Sequence, residues 1–554
     1  MLDLLLINGS VVDGTGRSAF RADVAVEGGK IVDVGRLAGA QAKEKLDCRG
    51  LCVSPGWVDI HGHADWTALV EPVGLNLLVQ GSTMTVSGNC GMCPAPMRGP
   101  ASTLLDSPGM WLTDTLKVLM QHHPSLTWRL RDYLDQLEKL RPGVNYVQLA
   151  GHNDLRRSVM GHEQRLATSG EIDQMQALLN ECLDEGAFGM SSGLVFIPGC
   201  WSNTDELVEL CKEVARRDGL YASHIRGERE TNIDATREII EIAERSGVRA
   251  HVSHMQSKYP VLGSAIMKIG MLEQARERGA DMSCDSESFP DNQATPAGFL
   301  QIYWFTPERL VQQLSSPEGR AEIKHRMRTI DPWHPQGRFG PGGVPFRRAW
   351  DRVKIYDCPH DRSLEGKTVA QVAAQRGIEF EDALFDLALA ENGKGPVLIH
   401  DYIEDEHFRT ASWKYCIFPS VDTGFFDPAK EFSRLDLQYQ LDTRFPGTIG
   451  LFPRVLGQFV REEKLMTLEE AVRKMTSFAM QRLGIKDRGI IEKGQWADIT
   501  VFNKDTVALR EPDATADDIK SFYPPGISYV VVNGQVAMRG KEFTGVRAGQ
   551  VLRK

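Results

Sequence analysis

Residues 57–66, WVDIHGHADW, begin as an apolar strand and end in two histidines and two carboxylates. Residues i and i+2 of a strand face the same side, so His61 and His63 can point at one spot. Chemistry at the carboxyl end of a buried strand is typical of a parallel barrel, whose functional groups follow the strand ends. The stretch therefore predicts both a fold and a place to look for the functional site.

Seven further β-rich runs share the character of the first, and helical patterns lie between most of them. The eight strand candidates are 56–61, 83–88, 145–151, 187–192, 220–225, 249–254, 280–285 and 415–420. Apolar residues at helical spacing mark helices over 170–186, with Ser169 as the N-cap, over 204–217 and over 235–247. Alternating strands and helices predict parallel strands with crossover helices. The fold class is therefore α/β, and we predict a (β/α)8 TIM-type barrel.

The two chain ends have a different hydropathy pattern from the middle. Residues 1–50 alternate apolar and polar positions between Gly and Asp turns, and the same pattern returns in GQWADITVFN and ISYVVVNGQVAMRG. Such runs predict short antiparallel strands. We predict one small β-sandwich domain built from residues 1–53 and 488–554, with the barrel at 54–487 inserted between them.

Two segments are longer than ordinary loops. They cover about 90–144, after the second strand, and about 286–414, after the seventh. Both would rise from the face that carries the functional groups, so each is a candidate lid or pocket wall.

Composition excludes several classes of function. The chain has 554 residues, 42% of them hydrophobic and 25% charged, and a net charge of −10, which argues against nucleic acid as the main partner. No apolar run approaches the ~20 residues that cross a bilayer, and the start lacks the basic region of a signal peptide. The ten cysteines then predict reduced thiols and a cytoplasmic location. The oligomeric state stays open, with a homo-oligomer among the alternatives.

Metal-type side chains follow five of the predicted strands. They are His61 and His63, Cys90, His224, His254 and Asp422. A single buried histidine is usually a hydrogen-bonded core residue and a buried cysteine a small hydrophobe, but six such residues at strand ends are hard to ascribe to coincidence. Imidazole, thiolate and carboxylate together form a zinc-type ligand set, and six ligands exceed the four of one tetrahedral ion. We therefore predict two adjacent sites.

The sequence resembles the amidohydrolase superfamily, and within it the D-aminoacylase (N-acyl-D-amino-acid deacylase) branch. The resemblance is carried by PGWVDIHGHAD, SGNCG, AGHNDLR, GAFGMSSGL, SHIR, VSHM, GLFPRVLGQFVREE and DRGIIEKGQWADITVF, which span nearly the whole chain. It implies a tightly held zinc at Cys90, His224 and His254. A weaker, optional metal would sit at His61, His63 and Asp422.

The resemblance also implies a mechanism and several roles. Zinc-bound hydroxide would attack a carbonyl, with Asp422 as general base and then as acid to the leaving nitrogen of a non-peptide amide. His152 either helps to hold the oxyanion or is structural. Asp59 and Asp65 either orient a ligand histidine or hold a turn.

The substrate side departs from the branch. D-aminoacylases grip a free α-carboxylate, which calls for a basic residue or a fork of donors. Phe196, Gln256 and Glu287 stand where the branch shows a tyrosine, a lysine and a YPY-like segment, and Gly447 stands at an arginine position. Arg226 remains, and Arg444 lies near enough to substitute.

These departures leave two small-molecule substrates open. One is an N-acyl-D-amino acid, and the other is a neutral amide, lactam or related carbonyl compound without a free carboxylate. Two other classes of protein are a non-catalytic assembly protein of the same fold and a redox protein using Cys90 and Cys93.

Overall fold

The computed structural model describes residues 1–554 except 38, 66, 97–128, 229–230, 256–262, 287–290, 295–306, 329–352, 394, 402–409, 420, 428–445, 511–519 and 521–522. The strands in chain order are β1 (Leu2–Val11), β2 (Phe20–Glu27), β3 (Lys30–Gly35), β4 (Ala42–Asp47), β5 (Cys52–Pro55), β6 (Trp57–Asp59), β7 (Ser82–Ser87), β8 (Asn145–Gln148), β9 (Ala150–Gly151), β10 (Gly189–Gly193), β11 (Leu220–His224), β12 (Arg249–Val252), β13 (Met282–Asp285), β14 (Asp291–Ala294), β15 (Val353–Asp357), β16 (Val397–Asp401), β17 (Cys416–Ile417), β18 (Ile499–Phe502), β19 (Ile527–Val532), β20 (Gln535–Arg539) and β21 (Glu542–Phe543).

The helices lie mostly between these strands. They are Leu75–Leu78, Leu130–Leu140, His152–Met160, Ser169–Asp184, Thr204–Arg216, Asn232–Ser246, Ser264–Glu277, Pro307–Leu314, Pro317–Arg328, Val369–Arg376, Phe380–Ala390, Pro446–Ile449, Leu451–Arg454, the π-helix Val455–Glu462, Leu468–Met475 and Ser477–Leu483, with 3-10 turns at Gly199–Trp201 and Arg362–Leu364. Among the described residues, no helix has both the length and the apolar character needed to cross a membrane.

All eight predicted barrel strands are present and pair in parallel. One sheet has the order β6-β7-β8 and the other β9-β10-β11-β12-β13-β17. β8 and β9 are separated by one residue, Leu149, so the two sheets meet within one stretch of chain. At the far edge, Asp422 N donates to His61 O at 2.8 Å and His63 N donates to Thr423 O at 2.9 Å. These two bonds join the segment after the last strand to the segment after the first.

The predicted helices are confirmed with small shifts at their ends. The first runs over Ser169–Asp184, but Thr168 is its N-cap instead of Ser169. The Thr168 side chain accepts from Glu171 N, and the Glu171 side chain accepts from Thr168 N, which is a capping box. Glu171, three residues after Thr168, favours Thr168 as the N-cap, because this spacing gives hydrogen-bond acceptors to two backbone N–H groups that the helix leaves unpaired.

Strands from both chain ends lie in one sheet, and their pairing differs from the expected run of antiparallel strands. Nine strands are joined in one mixed sheet, in which β1 pairs in parallel with both β4 and β5. β1 is ten residues long, so one of its edges has room for β4 along Leu2–Ile7 and for β5 along Ser10–Val11. Apolar residues from both chain ends share its core, including Leu4, Val24 and Ile499.

The segment after β13 contains a small folded unit of its own. β14, β16 and β15 form an antiparallel sheet, and the neighbouring helices bury a separate apolar core that includes Leu310, Ile355 and Leu384. The sequence pattern predicts only a long insertion here. Its role as a lid or pocket wall remains a prediction.

Candidate metal centre

All six predicted ligands lie at or just beyond the carboxyl ends of the parallel strands. His61 and His63 follow β6, Cys90 follows β7, and His224 is the last residue of β11. His254 follows β12, and Asp422 follows β17. Carboxyl ends of parallel strands share one edge, so residues far apart in sequence come together there.

The Cys90 thiol is the centre of the first group of ligands. Its Sγ lies 3.3 Å from His61 Nε2, 3.7 Å from His224 Nδ1 and 3.7 Å from His254 Nε2. The ligand atoms of His61, Cys90 and His254 all lie within 4.8 Å of one another. Three converging donors at this spacing can enclose one cation.

A second group lies beside the first. Asp422 Oδ1 is 3.1 Å from His63 Nε2 and 3.5 Å from His61 Nε2. The ligand atoms of these three residues also lie within 4.8 Å of one another. His61 belongs to both groups, and a third set of converging ligand atoms, from His224, Glu228 and His254, shares His254 with the first.

The local backbone is strained where it aims these side chains. Cys90, His254 and Asp422 have φ values of 53°, 32° and 50°, a region that non-glycine residues rarely occupy. Such conformations cost on the order of 1–3 kcal/mol each and persist where surrounding structure enforces them. Gly62, between the two histidines, is needed for packing, because a Cβ there would lie 2.3 Å from Thr85 Oγ1 and 2.8 Å from Asp59 Oδ2.

The donor groups shift one another's pKa values against the effect of burial. Burial raises the pKa of Cys90, but the His61 charge and hydrogen bonds from the other imidazoles outweigh it and hold that pKa well below its usual value. Burial lowers the pKa of His63, but its hydrogen bond to Asp422 helps to raise it to about 10. The pKa of Asp422 is lowered in turn by His63 and His61, against the effect of its burial. A thiolate and a carboxylate amid imidazoles fit the donor preferences of zinc.

Two carboxylates that contact the histidines were not predicted from the sequence. Asp285 Oδ2 lies 3.2 Å from His61 Nδ1, and its Oδ1 accepts from His254 N at 2.7 Å. Glu228 lies beside His224 and His254. The available signals were an aspartate as the last residue of the seventh strand and a glutamate in SHIRGE, four residues after His224.

Asp59 and Asp65 contact backbone and hydroxyl groups. Asp59 Oδ1 accepts from Val421 N at 3.1 Å, and its Oδ2 accepts from Thr85 Oγ1 at 2.8 Å. Asp65 Oδ1 accepts from Gly88 N at 3.1 Å. Burial raises the pKa of Asp59 to about 6 and that of Asp65 to about 7. Of the two roles left open for them, these contacts favour holding the turns.

Comparison with known proteins finds deacylases that are similar to this chain over its whole length. The chain is 30% identical to N-acyl-D-glutamate deacylase of Alcaligenes xylosoxydans xylosoxydans, over 100% of this chain and 97% of that protein. It is also 30% identical to the D-aminoacylase of the same organism, over 99% and 97%. Residues 428–538 match the amidohydrolase family. The chain belongs to the D-aminoacylase branch of the amidohydrolase superfamily.

Solved structures of this branch extend the similarity to the fold. N-acyl-D-glutamate deacylase from Bordetella bronchiseptica, complexed with zinc and a phosphonate mimic of the tetrahedral intermediate, superposes with a TM-score of 0.76 at 29% identity, with both chains fully covered. A D-aminoacylase with a binuclear metal centre, described by one-metal activation and second-metal attenuation, superposes with a TM-score of 0.73 at 27% identity, again over both full chains. As a member of this branch, the chain is a metal-dependent hydrolase of non-peptide carbon–nitrogen bonds.

The predicted substrate residues of this amidohydrolase differ in whether they lie next to the metal centre. The Phe196 ring lies 4.8 Å from the His224 ring, edge to face, so it borders the centre. His152 Nε2 lies 2.8 Å from Glu206 Oε1, and Arg156 pairs with the other carboxylate oxygen. Gln256, Glu287 and Arg444 lie outside the described residues.

Arg226, the cation retained from the branch pattern, is already paired. Its side chain is buried, and its Nε and one terminal nitrogen donate to Glu238 at 2.9–3.1 Å. Its other terminal nitrogen donates to Cys200 O at 3.0 Å. The Arg226 charge is thus matched within the protein, so a substrate carboxylate would have to compete with Glu238 for it.

Proposed function

We propose that this amidohydrolase removes the acyl group from a small N-acylated substrate, using zinc held at the Cys90 centre. The observation that carries the proposal is the convergence of His61, Cys90 and His254 within 4.8 Å, with Asp422 beside His61 and His63. Zinc supplies a Lewis acid for the carbonyl and lowers the pKa of water toward about 7. The deacylase relatives support this reaction class.

The two ligand groups would have different occupancies. We place one tightly held zinc at Cys90, His224 and His254, with His61, which lies beside the Cys90 thiol, shared with the second group. An optional second metal would lie at His61, His63 and Asp422. The D-aminoacylase whose second metal attenuates activity supports this unequal arrangement.

Asp422 is the residue that moves the proton. Its carboxylate is 33% exposed, whereas His61 beside it is fully buried, so Asp422 can reach a substrate. As general base it takes a proton from the attacking water, and as general acid it delivers that proton to the leaving nitrogen. This transfer makes the amine a neutral leaving group.

His152 follows the third strand and is the candidate for holding the oxyanion. Its Nε2 faces Glu206, and its Nδ1 is buried without a hydrogen-bond partner among the described residues. An Nδ1–H at that position would be available to a developing oxyanion. We assign His152 this secondary role.

The relatives favour an N-acyl-D-amino acid as substrate. The Arg226–Glu238 pair favours a second candidate, a neutral amide or lactam, because a carboxylate grip needs a free cation or a fork of donors. Losing one partner of a buried charge pair costs on the order of 2–5 kcal/mol, so Arg226 is poorly suited to change partners. Phe196 in the position of the branch tyrosine points the same way.

The proposal also covers the barrel, the β domain and the cellular location. The eight parallel strands form a closed (β/α)8 barrel at 54–487, whose two edges are joined through His61, His63 and Asp422. Residues 1–53 and 488–554 form the β domain. We place the protein in the cytoplasm, which is supported by all ten cysteines being free thiols.

Zinc analysis and a paired substrate panel test the function. We expect about one zinc per chain after dialysis, and hydrolysis of N-acetyl-D-amino acids or of their amide counterparts. A chain without stoichiometric zinc that hydrolyses neither series would favour the non-catalytic alternative. Preference for the free acids would rule out the neutral-substrate candidate, and preference for the amides would rule out the acid candidate.

A further inference from the structure

Two ligand histidines turn their outer ring nitrogens toward one carboxylate. His254 Nδ1 lies 2.8 Å from Glu228 Oε1, and His224 Nε2 lies 3.5 Å from Glu228 Oε2. Both nitrogens are buried and form no aligned hydrogen bond among the described residues, so the Glu228 carboxylate stands at ion-pair distance from them. The opposite ring nitrogens, His254 Nε2 and His224 Nδ1, are those that face Cys90 Sγ.

The two residues that precede Glu228 are held by close contacts. Arg226 is held by Glu238 and by Cys200 O. At Gly227 a Cβ would lie 1.9 Å from Thr231 Oγ1, so the chain passes close to the residue that precedes the helix Asn232–Ser246. The buried Arg226 therefore has a role that needs no substrate, which is to anchor the turn that presents Glu228.

We infer that Glu228 is a positioning residue that selects the ring tautomers of His224 and His254, an inference that rests on the proposed zinc centre. The two histidines use different nitrogens toward Cys90, so no shared default tautomer would serve both. A carboxylate offers an acceptor to each ring, and accepting Nδ1–H of His254 and Nε2–H of His224 leaves both inner lone pairs free for a metal.

An amide in place of the carboxylate would not do the same. Glutamine has the same shape but only one acceptor oxygen, and its NH2 group can only donate. One ring N–H would then face another donor, or the ring would move its proton to the nitrogen that should bind the metal. Glu228→Gln therefore removes one of the two acceptor oxygens while keeping the size and shape of the side chain.

The test compares the zinc affinity of the wild type and three variants, measured in the full chain by competition with a chromogenic chelator. Removal of an outer carboxylate partner typically weakens metal binding 10- to 100-fold, and we expect a loss in that range for Glu228→Gln. Glu228→Asp keeps two acceptors on a shorter stem, so we expect an intermediate loss. Glu206→Gln is the matched control, because Glu206 is also a buried carboxylate paired to a histidine, His152, that is not among the predicted zinc ligands; we expect wild-type affinity.

The visible spectrum of the cobalt-substituted protein is the second readout. We expect Glu228→Gln to shift its bands, because the ligand nitrogens change, and Glu206→Gln to leave them in place. Gly227→Ala is a second route to the same result, since it displaces Glu228 without altering its charge, and it keeps the test decisive if Glu228→Gln fails to fold.

Wild-type zinc affinity and an unchanged cobalt spectrum in Glu228→Gln would overturn the inference, as would an equal loss in Glu206→Gln. Failure of the proposed function would look different, because the wild-type protein itself would then bind no zinc.

Discussion

The two ligand groups of the centre differ most in their access to solvent. The side chains of His224 and His254 are 9% and 5% exposed, whereas those of His63 and Asp422 are 20% and 33% exposed. Electrostatic interactions strengthen as water is excluded. The buried Cys90 group is therefore suited to holding an ion, and the open Asp422 group to meeting a substrate.

The carboxylates behind the histidines follow the same division. Glu228 lies against the two histidines of the buried group, whereas Asp285 contacts the shared His61 and the backbone of His254. Glu228 thus contacts only histidines of the buried group, and Asp285 contacts residues of both groups. Mutations in the two groups should separate metal retention from turnover, and the following predictions test that separation.

The largest effect is expected from removing the central thiolate. Cys90→Ala should lose stoichiometric zinc and all measurable hydrolysis, because Sγ is the donor nearest to three imidazoles. Metal analysis after dialysis and a hydrolysis assay measure the two losses.

Cys93→Ala is the matched control for this experiment. Cys93 is also buried and belongs to the same CxxC sequence, but its Sγ contacts Ala95 O and Gln148 Nε2. Retention of zinc by Cys90→Ala, or its loss from both variants, would contradict the central position of Cys90. A reducible Cys90–Cys93 disulfide in the purified protein would instead support the redox alternative.

A smaller loss is expected at the open group. Asp422→Asn should lower kcat about 10²- to 10⁴-fold, the usual contribution of a general acid–base residue. Zinc content should stay near one per chain, since the Cys90 group is intact. Parallel loss of zinc and activity would instead make Asp422 chiefly a ligand.

The partner of the shared histidine should give an intermediate effect. Asp285→Asn leaves an amide beside His61 Nδ1 and His251 Nε2, which lie 3.2 Å and 3.0 Å from the native carboxylate. We expect the second metal to bind about 10- to 100-fold more weakly, with the first largely kept. Zinc titration of the dialysed protein resolves the two binding steps, and equal weakening of both would remove the distinction between the groups.

The ligands were predictable because their positions follow from strand geometry. His61 and His63 have the spacing of one strand face, and each other ligand follows a run of β-forming residues, so a parallel arrangement brings all six to one edge. The resemblance then divided them into two groups. The eight strands were predictable for the same reason, since each is an apolar run bounded by turns.

The orienting carboxylates and the second core were not predictable in this way. Glu228 lies beside two histidines from different strand ends, and no local pattern encodes that pairing. Arg226 was expected to meet substrate, but the structure pairs it with Glu238, twelve residues later on the next helix. The apolar core after β13 depends on contacts between separate helices and strands that periodicity alone does not assign.

The smallest effect is expected at Phe196, beside the buried group, if this position influences substrate choice as proposed. Phe196 borders His224, and Phe196→Tyr adds a hydroxyl that can donate to a substrate carboxylate. A neutral hydrogen bond contributes about 0.5–1.5 kcal/mol, so the ratio of kcat/KM for N-acetyl-D-amino acids over their amides should rise less than about 13-fold. Phe196→Leu is the control, because it keeps an apolar side chain and should leave that ratio unchanged. An equal change in the rates for acids and amides with Phe196→Tyr would show that this position affects the metal centre and leaves substrate selection to other residues.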